Sequence, residues 1–377
     1  MMKKILTTIL ILAIFFSTLP VKALPSEETK IIGSGLSSGE FLSPKGVSVD
    51  EKGNIYVLDS GNYRVQVFDN NGNFKFMFGG KGTEPFQFMQ PLDIAVKNEK
   101  VYITDGYGDI PSSNKVVVYD TKGKFLYKFG ERGSEKGNFM APTGIAIDEE
   151  RYVYICDTGN RRVEKFTESG QLVKTFGEGV LDSPIGIDAK NGKVFVSDFY
   201  HKKIFIFSYD GKLSKNLVYS EFKSPGELAV DDNGNIFVVE SGLASCGIFM
   251  FDSNGKFLKK IGNYGIKGGE FLKPYGIFIS NEKIFITDEI TSKLQMLTKE
   301  GKFIWEIRSI LYRPDSMYLP TDILVSDKKI FIVDSMNWRV LILDENGSFA
   351  GTIEDIEGFP EWKLNSTLSL QKYESYY

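Results

Sequence analysis

Histidine and cysteine are nearly absent from this 377-residue sequence, which has one His and two Cys. A single imidazole, at His201, excludes zinc centres built on two or three His ligands and any acid/base site that needs a His pair. Two thiols, at Cys156 and Cys246, cannot make a four-thiolate zinc site or a disulfide framework. Most catalytic zinc chemistry is therefore excluded.

A strong charge of either sign is also missing. The chain has 45 Lys plus Arg against 49 Asp plus Glu, a formal net charge of -4. This balance supplies no positive field for nucleic acid, so we expect no nucleic-acid partner. Glycine, by contrast, is abundant at 38 residues, above the usual share of about 7%. Glycine at this density indicates many turns and therefore many short strands.

The N-terminus has the pattern of an export signal. Lys3 and Lys4 precede an apolar stretch over 5–19, and 21–23 is a plausible cleavage site. The stretch is short for a membrane span, and an uncleaved membrane anchor is the alternative. Loss of the three lysines within 1–23 would change the net charge from -4 to -7. We expect a secreted or cell-envelope protein whose signal peptide is 1–23.

A repeat of about 46 residues runs along the rest of the chain. A proline preceded three positions earlier by a large apolar residue recurs at Phe41/Pro44, Phe88/Pro91, Phe139/Pro142, Leu181/Pro184, Phe222/Pro225, Phe271/Pro274 and Met317/Pro320. An acid ends an apolar run 14 or 15 residues after each proline, at Asp59, Asp105, Asp157, Asp198, Glu240, Asp288 and Asp334. Because these acids occur once per unit they cannot converge as a catalytic pair, and we expect each to accept backbone or Arg hydrogen bonds.

Each unit contains four short apolar runs separated by Asp/Asn/Gly turns, the pattern of an antiparallel four-stranded meander. Such a unit leaves two apolar faces exposed, so neighbouring units must stack, and the period is typical of a β-propeller. The sequence predicts an all-β propeller of four-stranded blades over 24–355, with a tail at 356–377. Seven blades are favoured and six are the alternative. Cys156 and Cys246 lie two units apart, and we expect no bridge between them.

Two runs resemble the NHL repeat: GEFLSPKGVSVDEKGNIYVLDSGNYRVQVFDNNGNFKFMFGGKG from Gly39, and GNFMAPTGIAIDEERYVYICDTGNRRVEKFTESGQLVKTFGEG from Gly137. The resemblance extends from about Ile31 to Ile353, and it implies a propeller, commonly six-bladed. Unit 5 departs from it, because Gly247 stands where the other units have Arg or Lys. At the chain ends, 29–33 and 348–353 both have the pattern of a fourth strand, and either could complete the final blade.

The position two residues after each proline opens the innermost strand, where space favours Gly. Three acids replace it, at Asp93, Glu227 and Asp322, and Asp188 lies two residues further along in unit 4. Carboxylates near a common axis repel one another unless a cation is present. We therefore hypothesise a Ca²⁺ site formed by Asp93, Asp188, Glu227 and Asp322. The alternative is a set of solvated carboxylates at the channel opening, with no cofactor.

Three irregular loops distinguish otherwise similar units, and such loops often carry recognition. Their candidate binding residues are Tyr107, Ile110, Tyr264, Ile266, Leu311 and Tyr312. These side chains could instead pack back onto the blades. His201, also in a loop, is interpreted as polar surface.

We expect an exported, monomeric, non-enzymatic scaffold that binds a protein or a cell-envelope glycan. The alternative is a lyase or lactone hydrolase with an oxygen-ligated metal at the channel. One His cannot supply the His-ligated metal that some enzymes with NHL-like propellers use.

Overall fold

The computed structural model describes residues 29–32, 38–39, 41–106, 112–242, 245–280 and 282–309, and the strands within 320–353. For the strands at 29–32 and within 320–353 the description concerns the backbone. The chain divides into two compact units, one formed by Lys30–Arg313 and the other by Met1–Thr29 with Pro314–Tyr377. Among the described residues, no helix has the length and apolar character needed to cross a membrane.

The larger unit contains six antiparallel meanders, which we call blades 1 to 6. Blade 1 has β2 (Val47–Val49), β3 (Ile55–Asp59), β4 (Arg64–Phe68) and β5 (Phe74–Gly79). Blade 2 has β6 (Pro91–Lys97), β7 (Lys100–Asp105), β8 (Lys115–Asp120) and β9 (Phe125–Phe129). Blade 3 has β10 (Pro142–Ile147), β11 (Val153–Asp157), β12 (Arg162–Phe166) and β13 (Leu172–Phe176). Short 3₁₀ turns at Ser60–Asn62 and Thr158–Asn160 join the second and third strands of blades 1 and 3.

The other three blades repeat this order. Blade 4 has β14 (Pro184–Lys190), β15 (Lys193–Asp198), β16 (Lys203–Ser208) and β17 (Leu213–Val218). Blade 5 has β18 (Pro225–Val230), β19 (Ile236–Glu240), β20 (Gly247–Phe251) and β21 (Phe257–Ile261). Blade 6 has β22 (Pro274–Ser280), β23 (Lys283–Asp288), β24 (Lys293–Thr298) and β25 (Phe303–Ser309).

Burial follows the position of a strand in its blade. Every residue of β3, β11 and β19 is buried, because a middle strand is covered on both faces by the adjacent blades. The outer strand β5 instead alternates between half-buried and exposed residues. Cys156 and Cys246 are buried free thiols in different blades.

A hydroxyl group links the blades at each of the six interfaces of the larger unit. At the first interface the Val96 amide donates to Ser48 Oγ. At the others a hydroxyl donates to a carbonyl of the next blade: Thr104 to Thr143, Thr158 to Pro184, Ser197 to Gly226, Ser241 to Pro274 and Thr287 to Lys45. The last of these bonds joins blade 6 to blade 1 and closes the ring.

The ring has six blades, so the preference for seven was wrong. Phe41, Val47 and Ile55 of the first repeat share one apolar cluster with Phe285 and Leu294 of the sixth. This contact leaves no place for another blade between them. The six-bladed alternative is the observed architecture.

The seventh repeat forms a four-stranded sheet of its own in the smaller unit. Its strands are β26 (Pro320–Ser326), β27 (Lys329–Asp334), β28 (Arg339–Asp344) and β29 (Phe349–Ile353). The chain's own last strand therefore completes this sheet. The N-terminal strand β1 (Thr29–Ile32) pairs with β25 as a fifth strand of the blade 6 sheet.

Candidate binding face and central channel

The acids that end the second strands are structural, as the sequence predicted for this set. In blade 3, Asp157 accepts hydrogen bonds from the Met140 amide at 2.7 Å, from Asn160 Nδ2 at 2.7 Å and from Arg162 Nε at 3.0 Å. Asp59, Asp105, Asp198, Glu240 and Asp288 accept amides from the loop before their own first strand in the same way. Each acid fastens that loop to its blade. The side chain of Asp334 lies outside the described residues.

Glycine opens the innermost strand because the next blade is too close for a side chain. A Cβ at Gly46 would lie 2.8 Å from Asp93 Oδ1, and a Cβ at Gly186 would lie 2.6 Å from the Cα of Glu227. At Gly144 and Gly276 a Cβ would collide with a backbone carbonyl oxygen of the next blade, that of Ile185 and that of Lys45. The expectation that space runs out at this position is confirmed.

Two of the channel acids connect neighbouring blades. Asp93, on blade 2, accepts the amide of Ile94 at 2.8 Å and that of Ile145, on blade 3, at 2.9 Å. Asp188, on blade 4, accepts the amide of Ala189 at 2.7 Å and that of Val230, on blade 5, at 2.7 Å. Both oxygens of each carboxylate are therefore engaged by the backbone.

Glu227 is the acid with an unused oxygen. It is 6% exposed, and the amides of Ile187 and Leu228 bond to its carboxyl group. Its Oε1 has no hydrogen-bond partner among the described residues. Burial raises the pKa of Glu227 well above its usual value, and the charge of Asp93 raises this pKa further.

Asp93 and Glu227 are buried acids on opposite sides of the ring, and the charge of Asp93 acts on Glu227. They lie on blades 2 and 5, which are opposite in a ring of six. Burial raises the pKa of Asp93 to about 7, although the amides of Ile145 and Ile94 favour its charged form. Because two amides stabilise the Asp93 carboxylate and Glu227 Oε1 has no donor, we infer that Glu227 carries the proton at neutral pH.

The four predicted calcium ligands are not brought together in the described part of the structure. Asp322 belongs to β26 in the other unit, and its side chain lies outside the described residues. Among the side chains that are described, no group of three or more His, Cys, Asp or Glu is placed to hold a metal ion. The calcium site stays a prediction.

The predicted binding residues lie in loops, but the structure describes only two of them. Tyr264, between β21 and β22, is 49% exposed, so it does not pack back onto the blades. Ile266 is half-buried, and its carbonyl accepts a bond from Lys293 Nζ at 3.0 Å. Tyr107, Ile110, Leu311 and Tyr312 lie outside the described residues.

Tyr264 is one of six large apolar residues that are exposed on loops. The other five are Leu42, Phe86, Met140, Tyr200 and Ile290. All six precede a first strand or follow a second strand, and antiparallel pairing places both positions at one end of the ring. We call this end the loop face. Sequence reasoning missed the other five because they lie in ordinary short connections rather than in insertions.

The opposite end of the ring is polar. Its hairpin turns carry no exposed large apolar side chain among the described residues. The acidic side chains of these turns accept hydrogen bonds from backbone amides of the same turn. Asp69 Oδ1, for example, accepts the amides of Asn71 and Asn73 at 2.9 and 2.8 Å. Because these polar groups already have local partners, this end offers little for recognition.

Two open clefts indent the loop face. One lies between blades 3 and 4 and is lined by Asn160, Arg161, Glu178, Gly179, Val180, Leu181, Asp182 and His201. There His201 Nδ1 lies 3.1 Å from Asp198 Oδ1, and the imidazole is 38% exposed. The other lies at blade 2, between the loops before and after that blade, and is lined by Thr83, Pro85, Ser112, Ser113, Lys115, Lys128, Gly130, Glu131 and Arg132.

Family models match two parts of the chain. The NHL repeat model matches residues 41–68, and a model described as a 6-bladed beta-propeller matches residues 219–320. The chain carries an NHL repeat within a six-bladed β-propeller. Residues 41–68 fall within the first of the two runs that resemble the NHL repeat, so that resemblance is confirmed.

Curated proteins match parts of this chain. Protein brain tumor of Drosophila melanogaster is 29% identical over 145 residues, 38% of this chain and 13% of that protein. A probable peptidyl-alpha-hydroxyglycine alpha-amidating lyase of Caenorhabditis elegans is 27% identical over 185 residues, 46% of this chain and 50% of that protein. The match covers half or less of each relative. Whether the chain is an enzyme is therefore open.

The solved structures support the fold. A chain from the crystal structure of a nidogen/laminin complex aligns with a TM-score of 0.52 and 16% identity, over 68% of this chain and 93% of that one. At this identity the likeness shows a shared propeller architecture.

Proposed function

We propose that the chain is an exported, non-enzymatic propeller that binds a protein partner through its loop face. The observation that carries the proposal is the position of the exposed apolar side chains at one end of the ring. Outside the outer strands, every described large apolar residue that is exposed lies on the loop face.

The composition of the loop face suits a protein partner. Phe86 is 43% exposed, Tyr200 69% and Tyr264 49%. Aromatic side chains of this kind are common anchors in protein interfaces because they bury a large area at a low cost in conformational entropy. The clefts between them are open and polar, in contrast to the enclosed, mostly apolar pockets that hold small molecules. The propeller in the nidogen/laminin complex is consistent with a binding role for this fold.

The experiment is a capture assay with the immobilised chain 24–377 and with paired surface variants. Phe86→Ser and Tyr264→Ser remove two apolar groups from the loop face. Met77→Ser and Leu258→Ser are matched controls, because these side chains are 45% and 46% exposed on outer strands. We expect the loop-face variants to lose the captured partner and the outer-strand variants to keep it. Equal retention by all four would refute the proposal.

A second candidate is a propeller enzyme, a lyase or lactone hydrolase with an oxygen-ligated metal at the channel. The similarity to the Caenorhabditis elegans lyase and the unused Oε1 of Glu227 favour it. Calorimetric titration with Ca²⁺ separates the two candidates. A heat of binding that disappears in the Asp93→Asn, Glu227→Gln double variant would favour the enzyme, and equal heats would remove it.

A further inference from the structure

The residue after the proline of each repeat lies beside the start of the innermost strand, at the loop-face end of the channel. In blades 1 to 6 these residues are Lys45, Leu92, Thr143, Ile185, Gly226 and Tyr275. Lys45 is the one charged residue of the six, and its carbonyl oxygen accepts the bond from Thr287 that closes the ring. These six positions therefore contain one cation, at the interface between blades 6 and 1.

The ammonium group of Lys45 is not paired with an acid. Its Nζ lies over the ring of Tyr275, 4.9 Å from the ring centroid, and Lys45 is half-buried. Within the described residues this Nζ forms no ion pair and donates no hydrogen bond. The face of a ring attracts a cation but does not replace an oxygen acceptor for its three protons. The Lys45 protons are therefore available to a ligand.

The charges that act on Lys45 leave it without compensation. Burial lowers the pKa of Lys45, and repulsion by Lys273 lowers this pKa further, against the attraction of Glu289. Glu289 is already engaged, since its Oε2 lies 2.8 Å from Lys273 Nζ and its Oε1 accepts a bond from Ser43 Oγ at 3.3 Å. Two cations thus share one carboxylate, and the three charged groups have a surplus of one positive charge.

The acids further along the channel act on Tyr275 instead. Burial raises the pKa of the Tyr275 phenol well above its usual value, and the charges of Glu227 and Asp93 raise this pKa further. Both oxygens of Asp93 accept backbone amides, and Glu227 is the acid inferred to hold a proton. Neither acid is therefore the missing partner of Lys45.

Apolar side chains flank this interface on both blades. Leu42, in the loop before β2, is 38% exposed, and Ile290, in the loop after β23, is 49% exposed. The bond from Ser43 to Glu289 joins the residues next to them, so both apolar groups lie along the interface that carries Lys45. We call Leu42, Lys45 and Ile290 the central patch.

We propose that the central patch binds an acidic side chain of a partner polypeptide, with the carboxylate on Lys45 and an apolar neighbour on Leu42 and Ile290. This inference rests on the proposed function, since it specifies what the loop face recognises. A half-buried ammonium group attracts a carboxylate more strongly than a fully solvated one does, because solvent screens it less. The apolar side chains favour a peptide over a free anion, which would leave them uncovered.

The experiment measures the fluorescence anisotropy of a labelled peptide with one Glu between two leucines in a Gly/Ser chain, and of its Gln counterpart. The test variant is Lys45→Gln, and Lys45→Arg keeps the charge. The control is Lys202→Gln, which removes an exposed lysine from the loop face of blade 4, opposite blade 1 in the ring. We expect the Gln peptide, and the Glu peptide on Lys45→Gln, to bind about tenfold more weakly than the Glu peptide on the parent. Lys45→Arg and the control should keep most of the affinity, and added salt should weaken binding.

A second measurement needs no variant. The parent chain is acetylated with acetic anhydride in the presence and absence of the Glu peptide, and the modified lysines are identified by mass spectrometry. We expect the Glu peptide to protect Lys45 and to leave Lys202 as reactive as before.

Four results would overturn the inference. The first is equal binding of the Glu and Gln peptides, the second is parental affinity in a Lys45→Gln variant that thermal unfolding shows to be folded, and the third is acetylation of Lys45 at the same rate with and without the Glu peptide. The fourth is displacement of the Glu peptide by inorganic phosphate or by an oligouronate as readily as by unlabelled peptide, which would assign Lys45 to a free anion or a glycan.

The outcome for the proposed function is separate. If Phe86→Ser and Tyr264→Ser keep the captured partner, the proposed function is wrong. If they lose it while Lys45→Gln binds the Glu peptide as the parent does, only the assignment of the central patch is wrong.

Discussion

Replacing Asp93 with Asn should change how the stability of the propeller depends on pH. Burial raises the pKa of Asp93 from 3.8 to about 7, so between these values the folded chain holds a proton that the unfolded chain has lost. The contribution of Asp93 to the stability of the fold is then fully present below pH 3.8, and it is lost as the pH rises through 7. A difference of one bound proton between the folded and unfolded chains changes the free energy of unfolding by about 1.4 kcal/mol per pH unit. The full loss at Asp93 is therefore about 4 kcal/mol, of which about 2 kcal/mol falls between pH 5 and 7.

The substitution also has a cost that does not depend on pH. The carboxylate accepts the amides of both Ile94 and Ile145, whereas an Asn side chain has one acceptor oxygen and leaves one buried amide unsatisfied. That loss should destabilise the variant by about 1–3 kcal/mol at every pH. Asp252→Asn is the surface control, because Asp252 Oδ1 alone accepts the amides of Asn254 and Lys256 in an exposed turn, so an Asn side chain can keep both bonds.

The assay is equilibrium unfolding in urea at pH 5, 6, 7 and 8. The free energy of unfolding of Asp93→Asn, relative to the parent, should rise by about 2 kcal/mol between pH 5 and 7 and level off by pH 8. A difference between variant and parent that is the same at all four values would refute the reasoning. It would mean that the Asp93 carboxyl group stays hydrated in the folded chain.

Three further predictions concern packing, charge and calcium. Gly144→Ala should lower the free energy of unfolding by about 1–3 kcal/mol, because the new Cβ meets the Ile185 carbonyl oxygen, whereas Gly226→Ala, with its nearest atom at 3.8 Å, should be almost neutral. Arg162→Ala should cost about 3–5 kcal/mol in urea unfolding, since it leaves Asp157 and Glu164 buried without their cation, and Arg161→Ala at the surface should cost under about 1 kcal/mol. Thermal unfolding of Asp93→Asn, Glu227→Gln and of the parent, each with and without Ca²⁺, tests the predicted site, which requires stabilisation of the parent alone.

Much of the fold could be predicted because its determinants are local. Each closing acid and each proline is visible within one repeat, and the pairing of Pro91 with Asp105 brings them together. The number of blades could not be predicted in this way, because seven repeats look alike in sequence. It depends on whether Val47 and Phe285, far apart in the chain, meet across the last interface.

The candidate site was predicted only in part for the same reason. A sequence pattern marks Asp93 and Glu227 as exceptions to Gly, but which of them has a free oxygen depends on amides contributed by neighbouring blades. Leu42 and Met140 directly follow the buried Phe41 and Phe139, so their exposure is hidden in an apolar run.

The bond from Thr287 to Lys45 has a consequence for synthesis on the ribosome. Its two residues are 242 positions apart, and no strand of blade 1 belongs to the sheet of blade 6. Blades 1 to 5 can therefore stack in order as they emerge, but the Phe41 cluster stays open on one side until β24 and β25 have left the tunnel. During that interval the nascent chain presents the apolar sides of blades 1 and 5 to the cell, and a chaperone that binds extended apolar surface would act there.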